Sequence, residues 1–196
     1  EAMQVALLPG SRAQEIQRIA PILAEVARDL LVLHPGARFL SPCISEVRAE
    51  QAREFLGTLP VEFLVGGMYD VLSRARCALV ASGTATLETA LFGVPMCIVY
   101  RVNPISYWLA RALVHIRFIG IVNILAEREI VPEFIQGRAT ANKITPVLQA
   151  LIEETETRHH MLADFQELKR RLGGPGASRR AAGEILRIFP RTPMGS

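Results

Sequence analysis

The sequence lacks most of the signatures that would take it away from an ordinary folded domain. Cysteine is scarce: Cys43, Cys77 and Cys97 are odd in number, show no Cys-x-x-Cys spacing and sit in apolar segments. They read as reduced core residues of a cytosolic chain, not as a disulfide framework. The four histidines, His34, His115, His159 and His160, have no ligand spacing with one another or with the cysteines, so no metal site is expected. An excess of one charge sign is also missing: 22 Lys and Arg stand against 19 Asp and Glu, a net charge of +3. That balance argues against a dedicated nucleic-acid binder, which carries a basic stripe. No uninterrupted apolar run reaches the roughly 18 residues of a membrane span, and no basic-then-apolar leader opens the chain. Neither an integral nor a secreted protein is expected. The chain does not begin with Met and enters an apolar run within a few residues, which reads as the start of a domain cut from something longer. The segment Arg191 to Ser196 reads as an added tail and is set aside from the fold.

What is present is half apolar and one-fifth charged over 196 residues, enough to bury a real core. Apolar runs of strand length alternate with segments of helical period. The pairs are Val5 to Leu8 with Ala13 to Leu33, Arg38 to Leu40 with Glu46 to Leu56, and Val61 to Val65 with Met68 to Arg74. Next come Ala78 to Ala81 with Ala85 to Phe92, then Met96 to Tyr100 with Ile105 to His115. Such alternation, with strands that are apolar throughout, predicts an α/β fold: a Rossmann-like parallel sheet with helices on both faces. Pro35-Gly36, Gly57 with Pro60, and Gly93 with Pro95 punctuate the helix-to-strand turns. From about Ala139 the pattern is purely helical: Ala141 to Ile152, a charged segment Glu153 to Leu172, a Gly-Gly-Pro-Gly break and Ser178 to Ile188. The expected organisation is a ligand-binding domain over 1–138, a C-terminal helical segment over 139–190 packing on it or on a partner domain, and the tail over 191–196.

Open parallel sheets bind ligands beyond the carboxyl ends of their strands, and two strand-to-helix loops stand out there. The first, Pro9-Gly10-Ser11-Arg12, offers a glycine for close approach, a serine suited to capping the following helix, and helix-start N–H groups that favour an anion. Capping by Ser11 with a solvated Arg12 would explain the same residues. The loop lacks the Gly-Lys-[Ser/Thr] of a phosphate-binding P-loop and the third glycine of a dinucleotide fingerprint, which disfavours an ATPase or an NAD enzyme. The second loop, Ser82-Gly83-Thr84, breaks an apolar strand and leads to Glu88 near the start of a helix ending at Gly93. A carboxylate there complements the helix dipole and could equally accept bonds from both hydroxyls of a ribose.

Taken together, LLPGSRxxEI, SGTATLE, the GVPM and YR segment, and NILAxREIVPEFIQ resemble, in this order, the C-terminal half of lipid-A-disaccharide synthases, two-domain GT-B glycosyltransferases of outer-membrane lipid biosynthesis. The likeness spans Val5 to about Leu172. It implies that this chain is one half of a GT-B fold, working without a cofactor in the bacterial cytoplasm or peripherally on the inner membrane. The donor, UDP-2,3-diacylglucosamine, would bind here, and the acceptor, lipid X, on an N-terminal domain absent from this sequence. The products would be lipid A disaccharide 1-phosphate and UDP. Residue by residue, the resemblance makes Arg12 the catalytic group that neutralises the diphosphate. Gly10, Ser11, Ser82, Gly83 and Thr84 would cradle it, Glu88 would hold the uridine ribose, and Arg101, Asn123, Glu133 and Gln136 would complete the donor pocket. Val122 departs from the proline of the family pattern, which bears on the loop around Asn123.

No general base can be placed: His115, His159 and His160 lie away from both loops in sequence. The segment Tyr107 to Phe118, with Arg101, Arg111 and Arg117, reads as a core helix or as an interfacial patch meeting a membrane. Association into a homodimer through exposed interface surface is compatible with a half-enzyme. The alternatives are another UDP-sugar GT-B enzyme, MurG-like or UDP-GlcNAc 2-epimerase-like, and a non-catalytic nucleotide-binding module.

Overall fold

A computed structural model describes residues 3–103 and 117–173. The expected helices Ile105 to His115 and Ser178 to Ile188 lie outside the described residues. Six strands, β1 (Gln4–Leu8), β2 (Arg38–Cys43), β3 (Val61–Val65), β4 (Cys77–Ala81), β5 (Met96–Tyr100) and β6 (Glu133–Ile135), form one sheet of order β3-β2-β1-β4-β5-β6. Every pairing is parallel. The described helices are α1 (Ala13–Leu33), α2 (Glu46–Leu56), α3 (Met68–Arg74), α4 (Thr84–Leu91), α5 (Ile121–Ala126), α6 (Ala141–Ile152) and α7 (Glu156–Leu172).

Central strands can be apolar throughout because helices cover both faces. All five residues of β4 are buried, as are Val5 to Leu8 of β1. α1 turns Ile16, Ile19, Leu23, Val26 and Leu30 into the core at helical spacing, and fully burying each such side chain contributes about 1.5–3 kcal/mol. α6 packs against α1, β4 and β5 and inserts Ile144, Leu148 and Leu151 into the same core. Burial pushes the thiols of Cys43, Cys77 and Cys97 up, that of Cys77 to about 12, so all three are unreactive thiols rather than thiolates. Among the described residues no helix is long and apolar enough to cross a membrane.

The structure adds three features to the sequence reading. β2 runs on through Ser41 and Pro42 to Cys43. β1 pairs with β2 only as far as Leu40, and the last three residues pair with β3 alone, a setting in which a strand tolerates proline. The motif around Asn123 forms the short helix α5, and Glu133 opens the edge strand β6. Finally, α7 begins at Glu156, with the Thr155 hydroxyl accepting from Arg158 N at 3.2 Å as its cap.

Candidate functional site

The strand order reverses direction at β1: from there the chain proceeds to β2 and β3 on one side, then returns to β4, β5 and β6 on the other. A crevice opens at such a switch point, outside the carboxyl ends of the two central strands. The register sets Leu8 beside Val80, so the loops after β1 and β4 leave the sheet side by side. Between them lies a cavity of about 570 Å³, lined by Gly10, Ser11 and Arg12 from the first loop and by Ser82, Gly83, Thr84 and Glu88 from the second. Seven residues singled out in two distant stretches of sequence thus share one wall.

The local geometry differs in one respect from the expected cap. Ser11 is not the N-cap of α1; Arg12 is, in extended conformation. The capping acceptor is the carboxylate of Glu15. Its Oε2 accepts from Ser11 N at 3.1 Å and from Arg12 N at 3.2 Å, and its Oε1 accepts from Arg12 Nη1 at 3.2 Å. The side chain of Arg12 is nevertheless 83 % exposed, so its guanidinium can turn to a ligand at little cost. Gly10 has φ +106°, a conformation that L side chains rarely adopt.

On the second loop, Gly83 caps α4 and its carbonyl accepts from both the N–H and the hydroxyl of Thr86, the latter at 2.7 Å. The Ser82 hydroxyl donates to Ile119 O at 3.2 Å, tying the end of β4 to the segment before α5. Glu88 is the fifth residue of α4, beyond the first turn, where the dipole of a helix is no longer felt strongly. It is half-buried on the cavity wall, and its carboxylate has no hydrogen bond or ion pair among the described residues. A carboxylate left in this state next to a cavity has its full accepting capacity available.

Arg101, Asn123, Glu133 and Gln136 are not among the described residues lining the cavity. Asn123 is fully buried: its Oδ1 accepts from Ile130 N and Val131 N at 2.8 and 2.9 Å, and its Nδ2 donates to Val131 O and to Glu133 Oε1 at 2.7 and 2.8 Å. Glu133 accepts two further backbone bonds, from Ile119 N at 2.9 Å and Gly120 N at 2.8 Å. Gln136 pairs with both backbone groups of Val102, and Arg101 donates to Ala139 O at 3.3 Å. These four residues shape the segments beside β5 and β6.

Sequence reading missed the other wall, made by Pro42, Cys43, Ile44, Gly66 and Met68 at the carboxyl ends of β2 and β3. These residues carry no polar motif; only the adjacency of β1, β2 and β3 reveals them. Of the histidines, His159 pairs with Glu154 and His34 with Gln149, both away from the cavity, while His115 lies outside the described residues. Two further cavities of about 460 Å³ each sit at the amino-terminal edge of the sheet. The arginines lining them are already engaged: Arg38 by the carbonyl of Ala37, Arg74 by Glu62 and Asp70, Arg76 by Glu154, and Arg158 by the carbonyls of Arg76 and Leu151.

Fold and crevice together define this chain as one Rossmann-like half of the GT-B class. Among solved structures it resembles UDP-GlcNAc 2-epimerase from Neisseria meningitidis bound to UDP-GlcNAc, with a TM-score of 0.62, 12 % identity, and coverage of 95 % of this chain and 45 % of that one. It also resembles WaaG, a glycosyltransferase involved in lipopolysaccharide biosynthesis, with a TM-score of 0.56, 13 % identity and coverage of 94 % and 47 %. The Lipid-A-disaccharide synthetase family model matches residues 1–183, and the chain belongs to that family. It is 42 % identical over 196 residues to the lipid-A-disaccharide synthase of Azotobacter vinelandii, covering 95 % of this chain. The chain spans about half the length of the curated relatives it matches.

Proposed function

We propose that this chain is the donor-binding half of an enzyme that transfers 2,3-diacylglucosamine from its UDP derivative to lipid X, giving lipid A disaccharide 1-phosphate and UDP. The observation that carries the reading is the convergence of the Gly10-Ser11-Arg12 and Ser82-Gly83-Thr84 loops on one cavity at the switch point. In this reading the diphosphate lies across the two helix mouths, where backbone N–H groups and the macrodipole favour an anion. Arg12 faces the charge that grows on UDP as the glycosidic bond breaks, an interaction that strengthens toward the transition state and so raises the rate. Glu88 accepts the ribose hydroxyls. The apolar wall of Pro42, Cys43, Ile44 and Met68 then flanks the remaining part of the nucleotide.

The acceptor would come from a partner domain, so residues 1–138 act as the donor unit and 139–190 as a helical segment that packs on it or on that partner domain. The isolated chain accordingly has no appreciable transferase turnover. In this reading the working enzyme acts in the bacterial cytoplasm, peripherally on the inner membrane where its acylated substrates lie, and associates into a homodimer.

Calorimetric titration with UDP, ADP and NAD tests the reading. UDP binds most tightly, and Glu88→Ala removes roughly 2–3 kcal/mol of UDP affinity, as expected for charge-assisted bonds. Tighter binding of ADP, or an unchanged UDP affinity in the Glu88 variant, would refute it.

A further inference from the structure

The three groups best placed to hold a phosphate at the mouth of α1 already hold an anion. Ser11 N, Arg12 N and Arg12 Nη1 all donate to the carboxylate of Glu15, which itself lines the cavity. A capping box accounts for the bond from Arg12 N. It does not account for the second N–H or for the guanidinium, which close around the carboxylate as they would around a phosphate oxygen pair.

Gly10 points the same way. A Cβ built on Gly10 would lie 2.7 Å from Glu15 Oε2 and 2.9 Å from Glu15 Cβ, so besides permitting the backbone its positive φ, the glycine leaves room for Glu15 over the loop. The three bonds measure 3.1–3.2 Å, longer than the 2.7–2.9 Å usual for charge-assisted bonds. The Arg12 side chain is mostly exposed, and a surface ion pair of this kind contributes only about 0–1 kcal/mol, so the carboxylate can be exchanged for a stronger anion.

We infer that Glu15 is the resident anion of this cradle and that the diphosphate of the donor displaces it. This rests on the donor-binding reading above and adds a specificity device to it. While resident, the carboxylate keeps Arg12 and the two N–H groups oriented and prevents weakly bound anions from settling there. Once displaced, it remains a negative charge near the phosphates and lowers the affinity for them, which favours release of the nucleotide product. Two charges about 4 Å apart near a protein surface interact strongly enough to alter an affinity severalfold.

The experiment compares wild type, Glu15→Gln and Glu15→Ala by calorimetry with inorganic pyrophosphate and with uridine, alongside thermal melting. The inference expects Glu15→Gln to bind pyrophosphate about tenfold more tightly, because a neutral amide is the weaker competitor, with uridine binding unchanged. Glu15→Ala should also bind pyrophosphate more tightly while melting at a lower temperature. Affinity and stability then move in opposite directions, as expected of a residue that both caps α1 and competes with the anion for the same donors. Pyrophosphate binding that is equal, weaker or undetectable in Glu15→Gln overturns the inference, and Glu15→Ala decides if the first variant does not fold. Pyrophosphate carries no base, so this outcome is separate from the preference of wild type for UDP over ADP, on which the donor reading stands or falls.

Discussion

Two polar clusters near the carboxyl edge of the sheet behave in opposite ways. In the knot formed by Asn123 and Glu133, every side-chain oxygen and nitrogen has a backbone or side-chain partner, and both residues are buried. On the cavity wall, Glu88 has no partner among the described residues and the Arg12 guanidinium is mostly exposed. The residue types are similar, so polarity alone does not distinguish a binding group from a structural one. The difference is whether the fold has already satisfied the group. The buried, satisfied cluster fixes the backbone of the 119–133 segment, whereas Glu88, without a partner, and Arg12, held only by an exposed pair with Glu15, remain able to meet a ligand.

The largest expected effect lies in the knot. Asn123→Ala leaves Ile130 N, Val131 N and Val131 O without their partners and removes one donor from Glu133. Each buried orphan costs roughly 1–3 kcal/mol, so with partial access to water the variant should lose about 4 kcal/mol of stability in urea denaturation. UDP affinity, measured where the variant is still folded, should change little. A large loss of affinity at unchanged stability would move Asn123 into the donor pocket and collapse the distinction between the two clusters.

The reverse pattern is expected at Arg12. An exposed ion pair contributes about 0–1 kcal/mol, so Arg12→Ala should leave the melting curve nearly unchanged. In the complete two-domain enzyme it should lower turnover by about 100-fold, comparable to losing one donor to a developing oxyanion. Arg12→Lys should restore activity only in part, since a point charge replaces a planar fork. A raised Michaelis constant at unchanged turnover would make Arg12 a binding group acting equally on ground and transition states.

The same contrast explains what could be read from the sequence. β1, β4 and β5 are legible because buried parallel strands are apolar throughout, and the loops after β1 and β4 because Pro-Gly-Ser and Ser-Gly-Thr interrupt such runs abruptly. β6 has three residues and α5 has six, too few to display a period. The end of β2 is hidden by Pro42, a residue that counts against a strand unless the pairing is known. Glu15 is visible within the PGSRxxE motif, but its role depends on a fold-back over Gly10 that spacing does not reveal. Ile44 and Met68 reach the cavity only because β2 and β3 lie next to β1. Of the motif residues suggested by family resemblance, those on the two loops line the cavity, and those that follow β5 are engaged in backbone bonds beside it.

The smallest effect concerns a polar group that belongs to neither cluster. Ser41 is fully buried on β2, and its hydroxyl is the one buried side-chain polar atom without a hydrogen-bond partner among the described residues. It does not line the cavity, so its lack of a partner cannot be explained by a ligand there. Burying a hydroxyl without a bond carries a desolvation penalty of about 1–3 kcal/mol on the protein scale. Removing it also opens a space the size of one oxygen atom and forfeits the dispersion attraction that atom has for its surroundings. The two effects oppose each other, and with no bond to break the first should prevail slightly. Ser41→Ala should therefore raise stability by roughly 0.5 kcal/mol and leave UDP affinity unchanged, checked by urea denaturation and calorimetry on the same preparation. Weaker UDP binding in this variant would mean that the hydroxyl acts on the cavity through its neighbours Pro42 and Cys43, and that an unsatisfied group need not touch the site to serve it.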